Sequence, residues 1–292
     1  MRRWPVLSLA FVSAFVAASG AHHVARGQEG GQPQSPTPAA PEPSAVLAEA
    51  RAALGGETRL AAITSFVAVG RTRQVQGDNL VPIEFEIACE LPDRCVRREE
   101  VPARRSGTTM RGFSGDALIQ FPAPPGGPLG RGGLLVGPGG NGPARTGGPP
   151  GAPMSDPAAA RVTAIKQEFV RLWLGMFAGS FPSVPLSFTY LAQAEAPQGR
   201  AHVLLASGPD DFSAQFFVMQ DTHLPVLLRW SDATRGAPVQ HQLFYADYRE
   251  VDGLRWPFLV RHAVGAETVD ETTFDRFEVN APIDAGVFEA RP

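Results

Sequence analysis

Lysine is nearly absent from this 292-residue chain: Lys166 stands alone among 26 basic residues, and the rest are arginine. With 29 acidic residues the formal charge is −3, so the basic footprint of a nucleic-acid binder is missing. Cysteine is equally scarce. Cys89 and Cys95 are the only two, and neither is placed to accept a lipid at an N-terminal cleavage site. Their Cys-x5-Cys spacing also lacks the C-x-x-C pattern of thioredoxin-like redox sites. Beyond Trp4–Ala18, no apolar run approaches membrane length, so no stable membrane span is expected.

Motifs that carry chemistry are missing as well. There is no Gly-x-Ser-x-Gly elbow; the nearest stretch, Gly112–Asp116, reads as a hairpin turn. The glycine-rich run Gly126–Gly133 lacks the Gly-Lys-Ser/Thr ending of a phosphate loop. No H-E-x-x-H or His-x-His pair occurs. His22 and His23 lie at the extreme N-terminus, His202, His241 and His262 fall on separate expected strands, and His223 falls in a turn. Histidines so scattered lack the close ligand spacing of a zinc site. Glu84 and Glu86 alternate with Phe85 and Ile87, which places both carboxylates on a solvated strand face. We therefore expect no cofactor, no metal and no enzymatic activity.

What remains is an export signal and a great deal of β-sheet. Met1-Arg2-Arg3, the apolar run and Ser19-Gly20-Ala21 have the three parts of a secretory signal peptide, residues 1–21. A Pro-, Gln- and Gly-rich leader follows to residue 43 and cannot bury much surface. Residues 44–292 form the expected domain, with a Gly/Pro-rich insertion at 122–157. A periplasmic location follows from the signal.

Ser44–Leu54 reads as a helix, capped by Ser44 and stopped by Gly55-Gly56, with a shorter helical piece at Thr58–Ile63. The period then changes to two. Strands are expected at Phe66–Gln76, Val81–Cys89, Cys95–Val101, Thr108–Phe113 and Ala117–Phe121. Asp156–Phe177 is the clearest helix, with Val162, Ile165, Phe169, Leu172, Trp173 and Met176 on one broad stripe. Strands resume at Leu186–Ala194, Ala201–Ser207, Ser213–Gln220, Pro225–Trp230, Val239–Tyr248, Leu254–Val264 and Thr268–Val279. About twelve strands with two or three helices imply an α+β fold: one large curled antiparallel sheet, an incomplete barrel, covered by the helices.

Pro92-Asp93 turns the chain between two strands and brings Cys89 and Cys95 together; in an exported protein a structural disulfide is favoured over free thiols. Such a short loop contributes about 2–3 kcal/mol in the chain-entropy account. Apolar pairs at period two, among them Phe85/Ile87 and Phe216/Val218, recur along many strands. So few helices leave part of that face as an apolar groove. Candidate ligand contacts are Phe85, Ile87, Phe216 and Val218 on the sheet, with Phe169, Leu172, Trp173 and Met176 on the long helix.

The chain resembles the LolA/LolB-like superfamily of periplasmic proteins, which includes the outer-membrane lipoprotein-sorting carriers. Five stretches carry the resemblance: the helix Ser44–Leu54 entering the strand at Phe66, the turn Glu90–Glu99, the turn Gly112–Asp116, Asp221–Pro225, and the closing Asn280–Asp284 with Phe288. The resemblance implies a half-barrel with a helical lid that holds a lipid, an acylated protein or another apolar ligand. It equally allows an envelope sensor or protein-interaction module. The carriers have an arginine before the turn proline where this chain has Leu91, so that arginine's role does not transfer. A scattered enzymatic site is the third alternative, its mark being convergence of His202, His241 and His262.

Overall fold

The computed structural model describes residues 40–77, 79–102, 107–123, 157–196, 199–232 and 238–289. The expected signal peptide, most of the expected leader and the expected insertion between Ala123 and Pro157 lie outside them. Helices α1 (Pro43–Ala53) and α2 (Glu57–Ala61) lead into five strands: β1 (Ser65–Gln76), β2 (Asn79–Glu90), β3 (Arg94–Glu100), β4 (Thr109–Ser114) and β5 (Ala117–Phe121). Helix α3 (Pro157–Phe177) separates them from β6 (Ser187–Ala196), β7 (Gly199–Ser207), β8 (Ser213–Met219), β9 (Pro225–Asp232), β10 (Val239–Val251), β11 (Leu254–Val264) and β12 (Glu267–Val279). Every expected strand is present. Ser44 is not the cap of α1: Glu42 occupies that position without a side-chain bond, and Pro43 takes the first helical turn, where a missing N–H costs nothing.

The twelve strands form one antiparallel sheet in the order β5-β4-β3-β2-β1-β12-β11-β10-β9-β8-β7-β6. It consists of two meanders, β1–β5 and β6–β12, joined where the first strand pairs with the last. Both edges are open, so this is not a closed barrel. The sheet is nonetheless strongly bent, because α3 touches β4 and β5 near one edge as well as β9 and β11 beyond the middle.

Strict alternation would put Phe274 and Phe277, three residues apart, on opposite faces. A bulge lets both face the core: the β1–β12 register slips between Val69/Gly70, leaving Asp275 unpaired. Gly70 sits opposite this bulge. A Cβ there would lie 2.3 Å from the Thr273 carbonyl oxygen and 2.9 Å from the Phe85 ring. Phe85 and Phe274 then meet edge to face, 5.5 Å apart.

The main core lies between the concave face and the helices. Phe66, Phe177, Trp256 and Phe277 form a contiguous aromatic cluster. Trp173 and Phe181 extend it, with centroids 4.7 Å apart. Cys89 and Cys95 are opposed on β2 and β3 and are disulfide-bonded within this core. On the convex face, Phe288 from the closing 3-10 turn Ala285–Phe288 packs on Ala88, Val96, Met110 and Ile119. Asn280 ties the end of β12 to the start of β1: its side chain accepts from Thr64 N at 2.8 Å and donates to Ala62 O at 3.1 Å.

Candidate functional site

Helix α3 does not seal the concave face along its whole length. Its C-terminal part is drawn tightly onto β10. Tyr245 and Tyr248, on either side of Asp247 with its left-handed φ of 54°, donate hydroxyl bonds to helix carbonyls. Tyr245 reaches Arg171 O, and Tyr248 reaches Gly175 O at 2.8 Å. Gly175 makes this approach possible, since a Cβ there would stand 2.4 Å from the Tyr245 ring. Burial pushes both tyrosines well above the ordinary tyrosine pKa, so they remain neutral donors.

Beside its middle, along Ala164, Glu168, Arg171 and Leu172, α3 leaves a cavity of about 790 Å³ against the sheet. Ile83, Ile87, Leu243, Val260 and Phe274 from the strands and Phe169 and Leu172 from α3 provide apolar wall. A row of polar groups crosses the same wall. Arg97 on β3 donates to Thr72 on β1 at 2.8 Å, and Thr72 bonds Thr272 on β12 at 2.8 Å. Asp270 on β12 bonds His262 on β11 at 3.2 Å, and His262 bonds His241 on β10 at 3.1 Å. The two imidazoles stack nearly parallel with each other and with Trp230 on β9, the centroids of Trp230 and His241 lying 5.1 Å apart. The Arg171 guanidinium lies over the Trp230 ring, 4.7 Å from its centroid.

Desolvation, reinforced by the neighbouring His262, holds His241 below the ordinary histidine pKa. Burial likewise lowers Arg171, and its Nε has no hydrogen-bond partner among the described residues. Arg111 crosses from β4 to pair with Glu168 of α3 at 2.6 Å at the cavity's rim.

Of the residues picked from the sequence, Ile87, Phe169 and Leu172 line this cavity. Phe85, Trp173, Met176, Phe216 and Val218 belong to the buried core outside its lining. Leu91, where the carriers have arginine, packs partly buried against that core. His241 and His262 come together, whereas His202 sits apart on β7, 3.3 Å from the Tyr190 hydroxyl. No group of three metal-ligating side chains occurs among the described residues. The sequence reading named His241 and His262 only within a convergence that included His202, and it missed Trp230 and Asp270 beside them. The signal for the histidine pair lay in the Asp252-Gly253 hairpin, a two-residue turn with both φ positive that fixes the β10–β11 register. Counting back pairs His241 with Val264 and Leu243 with His262, making the histidines diagonal neighbours on one face.

This architecture, an open bent sheet with helices on its concave side, is the LolA-like fold, as the sequence resemblance implied. The chain is similar to a LolA superfamily protein from Nitrosomonas europaea, with 13% identity over 85% of this chain and 98% of that one, at a TM-score of 0.52. It is also similar to a domain named for outer membrane lipoprotein sorting from Vibrio parahaemolyticus, with 13% identity over 85% and 97% of the two chains and a TM-score of 0.50. No family model and no curated protein matches the chain in sequence. No helix among the described residues is long and apolar enough to cross a membrane.

Proposed function

We propose that this is an exported, periplasmic, non-enzymatic binding protein. Its ligand is the apolar part of a lipid or acylated protein, held between α3 and the concave face. One observation carries this reading: the cavity of about 790 Å³, within the range of about 300–1,000 Å³ typical of small-molecule sites. The disulfide supports an oxidising compartment. The fold shared with a domain named for lipoprotein sorting supports a role in outer-membrane lipoprotein traffic. Affinity would come mainly from buried hydrocarbon, about 25 cal/mol per Å² before ordering costs.

Native mass spectrometry of protein purified from its host, together with titration of a fluorescent fatty acid, tests the proposal. A co-purifying lipid and saturable fluorescence are the expected results. An empty protein that also ignores the probe would refute it.

A further inference from the structure

The cavity is not simply greasy, and the balance of its charges is uneven. Three carboxylates in its wall are already engaged: Glu99 with Arg97 at 2.6 Å, Glu168 with Arg111 at 2.6 Å, and Asp270 with His262 at 3.2 Å. Arg171 is left over. Among the described residues it makes no ion pair, only a 3.4 Å bond to Gln167 and stacking on Phe212 and Trp230. Glu168 and Asp232 act on it through the field alone, and Glu168 is bonded to Arg111. A half-buried guanidinium whose Nε finds no acceptor is costly unless something supplies one. Next to it, His241 is held in place by its Nδ1 bond to His262, and its Nε2 donates when the ring is protonated or when Nδ1 accepts from His262.

Resting on the reading of this cavity as a ligand site, we infer that it takes an amphiphile with an anionic head, a carboxylate or a phosphate on an apolar tail. The head sits against Arg171 and His241, and the tail runs along Ile87, Leu172 and Val260. The anion supplies the missing acceptor for Arg171. Charge-assisted bonds of this kind are about twice as strong as neutral ones, so the head sets selectivity while the tail sets most of the affinity.

Calorimetric titration of the intact protein tests this with five probes below their micellar concentrations: laurate, dodecyl phosphate, dodecanol, dodecyltrimethylammonium and inorganic phosphate. At least one of the two amphiphilic anions should bind about tenfold or more tighter than the alcohol, and the cation should bind weakest. The stronger of the two identifies the head. Arg171→Met should bring the anion-to-alcohol affinity ratio close to one, and Arg171→Lys should restore part of it. Equal affinity of wild-type protein for alcohol and anions overturns the anionic head and leaves the apolar cavity standing. Inorganic phosphate binding as tightly as dodecyl phosphate overturns the tail. Failure of every amphiphile to bind removes this inference and the function it rests on together. The wild-type series decides the matter even if the methionine variant does not fold.

Discussion

The C-terminal end and the middle of helix α3 rest on the same sheet in different ways. Its C-terminal end buries Trp173, Leu174, Met176 and Phe177 among aromatic rings, with two tyrosines clamping its carbonyls. Its middle presents Ala164, Glu168, Phe169, Arg171 and Leu172 to a half-polar cavity. The same amphipathic stripe therefore does two jobs. Where rings interlock, it fixes the helix. Where they do not, it leaves room for a guest.

The largest expected effect that tests this contrast is on Trp173. Truncating a fully buried tryptophan costs about 3–5 kcal/mol, so Trp173→Ala should lower the denaturation midpoint severely. Leu172→Ala, on the cavity side, should cost clearly less by the same urea titration. Equal losses would abolish the distinction between a dry end and an open one. Next comes Gly175→Ala, whose methyl group would press on the Tyr245 ring. A loss of about 1–3 kcal/mol in thermal melts is expected, and a neutral result would mean that the clamp is loose. Removing the Tyr248 hydroxyl, as Phe, should cost about 1 kcal/mol.

On the open side, His241 should titrate below the ordinary histidine value of 6.5 when followed by NMR, and His262→Gln should move its midpoint upwards. A histidine held low favours the fold most above the unfolded pKa, and that contribution fades as pH falls through the folded value. Smallest of all is Arg111→Gln. It breaks an exposed ion pair and should cost no more than about 1 kcal/mol in urea titration.

The sheet was legible because its strands advertise themselves: side chains alternate, and Pro92-Asp93, Ser114-Gly115-Asp116 and Asp252-Gly253 mark the reversals. The depth of the groove was not. Alternation tells which face of a strand is inward, so Phe85, Phe216 and Val218 were correctly read as apolar and inward. It does not tell how high a helix rides above them, and that height separates a packed ring from a cavity wall. The height depends on Gly175 and on a residue with left-handed φ at Asp247, neither of which stands out in a periodicity pattern. The histidine pair was hidden for a related reason. Residues 21 apart in sequence become neighbours only through a hairpin register.

The join between the two meanders has a consequence for how a guest and the fold depend on each other. Thr72 and Thr272, 200 residues apart in sequence, share a buried hydrogen bond across it. Each meander can zip locally, but closing so long a loop carries an entropic cost that the join must overcome. The first meander brings Ile87 and Arg97 to the cavity, and the second brings Val260, His241 and His262. The pocket therefore does not exist in either half alone. An occupant lying across the join would act as a rivet between them, raising the stability of the whole chain in proportion to the logarithm of its concentration.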